Sequence, residues 1–174
     1  MNFHTVELDH LADQHIISKL RSDGKLPVLE ERGNIIFYSE IIMLYVNERY
    51  PSPSLLPHYP VDAARIRLAM MHINVQWYSL LNIIFFNKCD KTQCKKAENA
   101  LVDSLQSNHA MFSGTKFFMS DNMTLADCSL GSLLYTLSCH NADLYKSLGS
   151  TVHEYTNRIL MRNAFQRILE KPVN

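Results

Sequence analysis

The sequence predicts an α+β fold that is mostly helical, in which a small unit of strands and helices precedes a larger, all-helical unit. Before residue 50, short apolar runs are interrupted by glycine and proline, whereas long helical patterns dominate after residue 61. Between them lie four prolines, and a proline inside a helix removes a hydrogen bond and clashes with the preceding turn. We therefore expect two domains, residues 1–50 and 62–174, joined by a stiff, extended linker at 51–61.

The first unit is predicted to begin with a short strand at residues 3–8, followed by a helix that opens at Asp9 or His10 and ends near residue 20. A hairpin and a second helix are expected to follow.

The hairpin and the helix after it have clear local signals. Pro27 is acceptable as the first residue of a strand but not in the middle of one. Residues 31–34 are typical of a tight turn, and residues 35–37 form the returning strand. Ser39 is then expected to cap a helix that ends near Arg49.

The second unit is predicted to be built on one long helix, which Asp62 caps and which ends near residue 87. Its apolar residues recur at steps of four and three, as on one helix face: Ile66, Met70, Ile73, Trp77, Leu80 and Ile84. Another helix is expected from 91 to 112, with the inward positions Ala97, Leu101, Leu105 and Met111. Two last helices are expected at 149–160 and 162–169.

A capping box is predicted at the start of a central, buried helix. Thr124 and Asp127 have the required spacing, so that the Thr124 side chain accepts the amide of residue 127 and the Asp127 carboxylate reaches back. The apolar run from 125 to 139 follows directly. This pair is therefore interpreted as structural.

Composition disfavours several classes of function. Seventeen basic residues balance seventeen acidic ones, and direct nucleic-acid binding needs clustered positive charge. The sequence has no run of eighteen apolar residues, so no membrane span is predicted, and no signal peptide is evident. We therefore expect a cytoplasmic protein. His10 and His15 do not share a helix face, and neither a metal site nor a cofactor is expected.

The four cysteines, Cys89, Cys94, Cys128 and Cys139, show no spacing typical of metal ligands. Cys89 and Cys94 are five residues apart, which does not place them on one helix face. We interpret all four as reduced thiols that mainly pack against neighbouring side chains.

The order of elements resembles the glutathione transferase fold, in which a thioredoxin-like domain precedes a helical domain. An apolar strand opened by Pro27, a hairpin, a helix after Ser39 and an all-helical second unit carry this resemblance. It implies that the peptide bond before Pro27 is cis, that the Leu26 backbone would face a bound thiol peptide, and that the Thr124–Asp127 box supports folding.

A narrower resemblance covers nearly the whole chain. The segment 41–61, Trp77-Tyr78, Phe117-Phe118-Met119-Ser120 and the box beginning at Thr124 are similar to the stringent starvation protein A family. This resemblance implies a bacterial cytoplasmic transcription regulator that acts in stationary phase, acid stress and virulence. It also implies binding to RNA polymerase holoenzyme with the primary sigma factor, a homodimer or a heterodimer with a related subunit, and no transferase activity.

Two departures from that family are visible. Its members begin with a strand and a helix, roughly 30 residues or more, that are missing before the elements predicted here. We expect this to expose a sheet edge and to lower the stability of the first unit unless a partner covers it. Members also often carry Pro-His-Pro where this sequence has Pro51-Ser52-Pro53, which replaces an imidazole by a small hydroxyl.

The alternative function is a glutathione-dependent transferase or a glutathione-binding protein. A transferase needs a Tyr, Ser or Cys near the end of the missing first strand to hold the thiolate. It also needs an acidic residue followed by Ser at the second helix, and here that pair is Tyr38-Ser39. Ser39 is therefore interpreted as a helix cap, and the protein as not an enzyme.

The candidate partner-binding surface combines the linker with neighbouring arginines. Prolines and tyrosine lose little entropy on binding, and arginine supplies charge at the rim. The predicted residues are Arg49, Pro51, Ser52, Pro53, Tyr59, Arg65 and Arg67. The alternative is that the prolines only fix the domain angle and that Tyr59 packs between domains. Trp77-Tyr78 is a separate, ambiguous pair, in which Trp77 belongs to the core stripe and Tyr78 is a candidate to face the crevice between domains.

Overall fold

A computed structural model describes residues 4–6, 8, 13–86 and 89–169. The chain forms two compact units, Met1–Leu55 and Leu56–Asn174, so the division falls within the proline-rich segment. The segment is not the extended linker that we predicted, because the chain turns at Ser52 and Pro53. No helix in the described part of the chain is long and apolar enough to cross a membrane.

The first unit is a hairpin with two helices. Helix α1 is Gln14–Leu20, strand β1 is Val28–Glu31, strand β2 is Asn34–Phe37 and helix α2 is Ser39–Arg49. The strands are antiparallel, with Val28 opposite Phe37 and Glu31 opposite Asn34.

Two predicted features of the first unit need comment. Residues 4–6 are not in a strand, and the predicted helix start at Asp9 or His10 lies outside the described residues. The peptide bond before Pro27 is cis, as predicted, and so is the bond between Ser52 and Pro53.

Ser39 does not cap helix α2, contrary to our prediction. It is the first helical residue, and the N-cap is Tyr38, which has a φ of 69°. The hydroxyl of a residue inside the first turn no longer occupies the N-cap position from which it would accept a backbone N–H.

The long helix of the second unit begins earlier than predicted and changes its winding. Helix α3 (Pro60–His72) starts at Pro60 rather than Asp62, because the first helical position needs no N–H donor. It continues through a π-helical turn (Ile73–Tyr78) into helix α4 (Ser79–Phe85). A π turn holds more residues than an α turn, so the buried position after Trp77 is Leu81, and the predicted Leu80 is only half-buried.

The remaining helices complete the second unit. They are α5 (Lys91–Ser107), α6 (Ala110–Ser113), α7 (Leu125–His140), α8 (Ala142–Lys146), α9 (Ser150–Leu160) and α10 (Asn163–Leu169). The helix predicted from 91 to 112 is thus broken, and at its end Phe112 is buried instead of Met111.

An aromatic cluster forms the centre of this unit. Trp77 stacks on Phe112 with ring centroids 6.4 Å apart, and Phe118 and Tyr155 meet Phe112 edge to face at 5.1 and 5.2 Å. The indole Nε1 of Trp77 donates to Ser104 Oγ at 2.9 Å, so its polar atom is satisfied inside the core.

The predicted capping box at helix α7 is confirmed. The Asp127 carboxylate is fully buried, and its Oδ2 accepts from the Thr124 N–H at 2.7 Å. Its Oδ1 accepts from the Phe118 N–H at 2.8 Å and from the Tyr155 hydroxyl at 2.7 Å. One side chain therefore joins the loop before α7, the start of α7 and helix α9.

Candidate functional site

The proline-rich segment forms a loop held by helix α2. We define the proline loop as residues 51–55. Asn47, which is buried, accepts the Leu55 backbone N–H through Oδ1 at 2.6 Å, and its Nδ2 lies 3.4 Å from Ser54 Oγ. Since Leu55 is eight residues after Asn47, this bond turns the chain back on the end of its own helix.

The tip of the proline loop is open to solvent. Pro51, Ser52 and Pro53 are all exposed. Two prolines and a bend fixed by Asn47 restrict the backbone of the tip, which lowers the entropy lost when a partner binds. The sequence prediction missed Asn47. The available signal was an amide side chain in an otherwise apolar stretch of α2, four residues before Pro51.

Arg49 lies beside the proline loop and is engaged by neighbours. Its Nε is 3.6 Å from Glu31 Oε1, and its guanidinium lies 5.3 Å from the centre of the Tyr50 ring. Tyr45 donates a short hydrogen bond to Glu31. That bond and the charge of Arg49 lower the pKa of Glu31, while the bond to Glu31 raises the pKa of Tyr45. Arg49 is thus held in place while it stays partly exposed.

The other predicted binding residues belong to the second unit. Tyr59 is 66% exposed at the N-cap of α3, so it does not pack away from solvent. Arg65 and Arg67 are both exposed on α3, but residues two apart point to different sides of a helix. Arg65 Nη1 lies 3.3 Å from Asp62 Oδ1. The seven predicted residues therefore divide between the two units, with Arg49 and Pro51–Pro53 in the first and Tyr59, Arg65 and Arg67 in the second.

An arginine covers the place where a transferase would present an acidic side chain. The Arg21 guanidinium lies 4.3 Å from the centre of the Tyr38 ring and 4.8 Å from that of Phe37. Arg21 also donates to Asp23 at 2.6 Å. Burial alone would raise the pKa of Asp23, but the bond and charge of Arg21 outweigh it and lower that pKa. At the position before Ser39, this chain therefore has the Tyr38 ring covered by the Arg21 guanidinium, where a transferase would have a carboxylate.

A pocket of about 520 Å³ opens on the second unit. Apolar side chains of α3, the π turn and the residues around α6 form most of it. Its lining includes Arg65, Leu68, Met71, Val75, Met111 and Met119. Leu68 and Met71 are 66% and 64% exposed, which is unusual for large apolar side chains on a helix with a separate core face.

His72 and Tyr78 both contact residues of the second unit. His72 lines this pocket and meets the edge of the Trp77 ring at 5.1 Å. The Tyr78 hydroxyl donates to the Ser129 carbonyl at 2.9 Å, so Tyr78 connects the π turn to α7 within the second unit.

The interpretation of the cysteines as reduced thiols is wrong for two of the four, and the expected packing is wrong for a third. Cys89 and Cys94 form a disulfide, because Cys89 lies before α5 rather than on it and its Cα is 5.8 Å from that of Cys94. Cys139 is exposed. Cys128 packs as expected, and burial together with the neighbouring Asp127 raises its pKa to about 11. The described residues contain no cluster of side chains able to hold a metal ion.

Solved structures define the class of fold. Glutathione transferase F7 from Populus trichocarpa superposes with a TM-score of 0.84 at 23% identity, covering 98% of this chain and 87% of that one. The bacterial glutathione transferase BphK superposes with a TM-score of 0.87 at 18% identity, covering 97% and 86%. The fold is therefore glutathione transferase-like, as predicted.

Sequence relatives define the family. A stringent starvation protein A homolog from Haemophilus ducreyi is 33% identical over 149 residues, which cover 86% of this chain and 69% of the relative. Another from Coxiella burnetii is 30% identical over 171 residues, covering 98% and 80%. No protein-family model matches the sequence. The chain belongs to the stringent starvation protein A family.

Proposed function

We propose that this protein is a cytoplasmic transcription regulator without catalytic activity, which binds RNA polymerase holoenzyme containing the primary sigma factor during stress or stationary phase. The proline loop is its proposed binding surface. The observation that carries this proposal is an exposed Pro51-Ser52-Pro53 tip whose position is fixed by the buried Asn47. Family membership supports it, since the same segment carries the resemblance to stringent starvation protein A.

The chemistry of the tip suits a protein partner. Its surface is apolar and rigid, and Ser52 adds one small hydroxyl. Arg49 supplies positive charge beside it, partly balanced by Glu31 at 3.6 Å. Tyr59, Arg65 and Arg67 are proposed as a second group of contacts on the other unit. With no net charge on the whole chain, contact with polymerase protein rather than directly with DNA is favoured.

The proline loop can be tested by substitution. Pro51→Ala with Pro53→Ala is expected to abolish co-purification with RNA polymerase while leaving the far-UV circular dichroism unchanged, because the tip lies outside every helix. Asn47→Ala is expected to weaken binding with both prolines intact, since it releases the Leu55 N–H. Pro57→Ala, which changes a half-buried proline outside the tip, is the matched control and should bind normally.

Two results would overturn this assignment. Normal polymerase binding by the double variant would show that the tip is not the contact. Loss of helicity in that variant would show that the prolines are structural, which is the alternative reading of the segment.

The transferase alternative rests on the fold and on partial sequence similarity to a probable glutathione S-transferase from Solanum tuberosum, which is 30% identical over 112 residues. At the start of α2, Tyr38 replaces the acidic residue, and Arg21 lies over its ring. A γ-glutamyl ammonium group would meet a cation there instead of a carboxylate. Millimolar S-methylglutathione, which has no free thiol to attack the Cys89–Cys94 disulfide, is therefore expected to leave the melting temperature unchanged. A clear rise would favour a glutathione-binding protein.

A further inference from the structure

We propose that Cys89 and Cys94 are a thiol–disulfide exchange site, which small thiols reduce and small disulfides oxidise. The two residues flank the start of α5 and are both half-buried, so the bond is within reach of solvent. A sequence separation of five means that the bond closes only a short loop. A short loop gains little from chain-entropy restriction, so a purely stabilising role explains the bond poorly.

The two sulfur atoms have different surroundings. Cys89 lines a groove of about 480 Å³ between α4 and α5, whose other lining residues are Leu80, Ile83, Gln93, Lys96, Ala97 and Ala100. Cys94 lies in the first turns of the 17-residue helix α5, next to the N-cap residue Asp90. A small thiol entering the groove therefore meets Cys89 Sγ.

Cys94 is the better leaving group. Thiolates are stabilised near helix N-termini and beside lysines. The first two turns of α5 contain three lysines, Lys91, Lys95 and Lys96. Their positive charge is partly offset by two carboxylates, Asp90 and Glu98. The Asp90 carboxylate accepts the Gln93 N–H at 2.7 Å, and Glu98 pairs with Lys95 at 3.0 Å.

The exchange proceeds in two balanced steps. The thiolate of a small thiol attacks Cys89 Sγ, the Cys89–Cys94 bond breaks, and Cys94 leaves as a thiolate that takes up a proton from water. The first step leaves a mixed disulfide between Cys89 and the small thiol. A second small thiolate then attacks the small thiol's sulfur in that mixed disulfide, which forms the small disulfide and releases the Cys89 thiolate, and this thiolate takes up a proton from water. Oxidation is the reverse, with the small disulfide as the oxidant and two thiols as its products.

The reduced state also has partners in place. Cys89 Sγ lies 3.3 Å from the Ile83 carbonyl oxygen, and Cys94 Sγ lies 3.9 Å from the Cys89 carbonyl oxygen. Each thiol can donate to a main-chain acceptor without moving far. Main-chain acceptors for both thiols are therefore already close to the sulfur atoms in the disulfide form.

The experiment is a redox titration of the whole chain. The protein is equilibrated with mixtures of glutathione and glutathione disulfide, quenched with acid, alkylated with N-ethylmaleimide after denaturation and measured by intact mass. Two labelled thiols, Cys128 and Cys139, are expected under oxidising mixtures, and all four cysteines should be labelled in excess glutathione. Cys139→Ser is the control and should lose one label in both states.

Partial reduction tests the direction of attack. After brief treatment of the oxidised chain with substoichiometric glutathione and quenching with acid, peptide mass mapping is expected to find glutathione on Cys89 and a free thiol at Cys94, because only Cys89 lines the groove. Glutathione found on Cys94 instead would overturn that assignment. Four labelled thiols at every ratio, or a bond that persists in excess glutathione, would overturn the exchange site as a whole, and neither result depends on a variant folding.

Discussion

Asp127 shows how much one buried side chain can organise. Its carboxylate has no exposed surface, yet it receives hydrogen bonds from Thr124, Phe118 and Tyr155. A buried carboxylate without such partners would be strongly destabilising. Asp127 is therefore retained in the core because three separate parts of the second unit supply its donors.

The bond from Tyr155 to Asp127 can be tested by Tyr155→Phe. Loss of a hydrogen bond to a charged group is expected to lower the free energy of unfolding by roughly 1.5–3 kcal/mol at pH 8. Burial and the Asp127 carboxylate raise the pKa of Tyr155, so the folded state keeps this proton when an unfolded tyrosine, with a pKa of about 10, has lost it. Stability from this group is thus present below pH 10 and falls as the pH rises further.

The measurement is urea denaturation of both proteins between pH 8 and pH 11. The difference between wild type and Tyr155→Phe should shrink above about pH 10. A difference that stays constant or grows would contradict the proposed environment of the hydroxyl.

Side-chain contacts could be predicted from the sequence only where both partners lie close together in the chain. The Thr124–Asp127 box was predictable because both partners lie within one helical turn. Asn47 was not, since its partner is the main chain of a residue eight positions away after a bend. The cysteine pair was missed because the five-residue spacing was judged only as a spacing on one helix face, whereas Cys89 lies before α5 and only Cys94 lies on it.

At the scale of elements, the π turn sets which residues of the long helix face the core. Apolar residues that recur at steps of four and three predict that Trp77 and then Leu80 face the core. The extra residue of the π turn brings Leu81 inward instead. Both Leu80 and Leu81 are apolar, so the sequence pattern alone does not reveal the shift. The helix itself was predictable, but its phase after residue 77 was not.

This pair of leucines offers a matched test. Leu81→Ala is expected to lower the free energy of unfolding by about 2–5 kcal/mol, because it leaves a cavity in the core. Leu80→Ala removes the same atoms from a half-buried position and should cost less than half as much. Denaturant unfolding of both variants gives the comparison, and equal costs would contradict a π turn at this place.

At the scale of the whole molecule, the exposed apolar face of α3 suggests self-association. Leu68, Met71 and Val75 lie around a pocket of about 520 Å³ with Met111 and Met119, outside the core face of the helix. We propose that a second copy of this chain, or a related subunit, covers this face. The expectation of a dimer came from the family resemblance, and the face that would form it became visible only with the structure.

Light scattering at micromolar concentration tests this proposal. Leu68→Glu with Met71→Glu is expected to convert a dimer to a monomer, because two charges would be buried without partners. Asn74→Glu adds a charge to an exposed position of the π turn outside the pocket and should remain dimeric. A monomeric wild-type protein, or a double variant that stays dimeric, would refute it.

The two-unit organisation was predicted because composition changes at the proline-rich segment, and the fold class followed from the order of elements. The boundaries were less predictable. Pro60 is compatible with both a linker and the first position of a helix, so its residue type alone does not fix where α3 begins.

The contacts that fix the position of the proline loop do not involve the residues at its tip. Asn47 and the main-chain N–H of Leu55 fix the bend, and neither lies at the tip. Because the anchor joins the Asn47 side chain to the main chain of Leu55, it does not involve the side chains of residues 51–53. Ser52 in place of histidine is therefore a change that the fold tolerates. Variation at the tip would alter which partner is recognised while the scaffold that presents it stays the same.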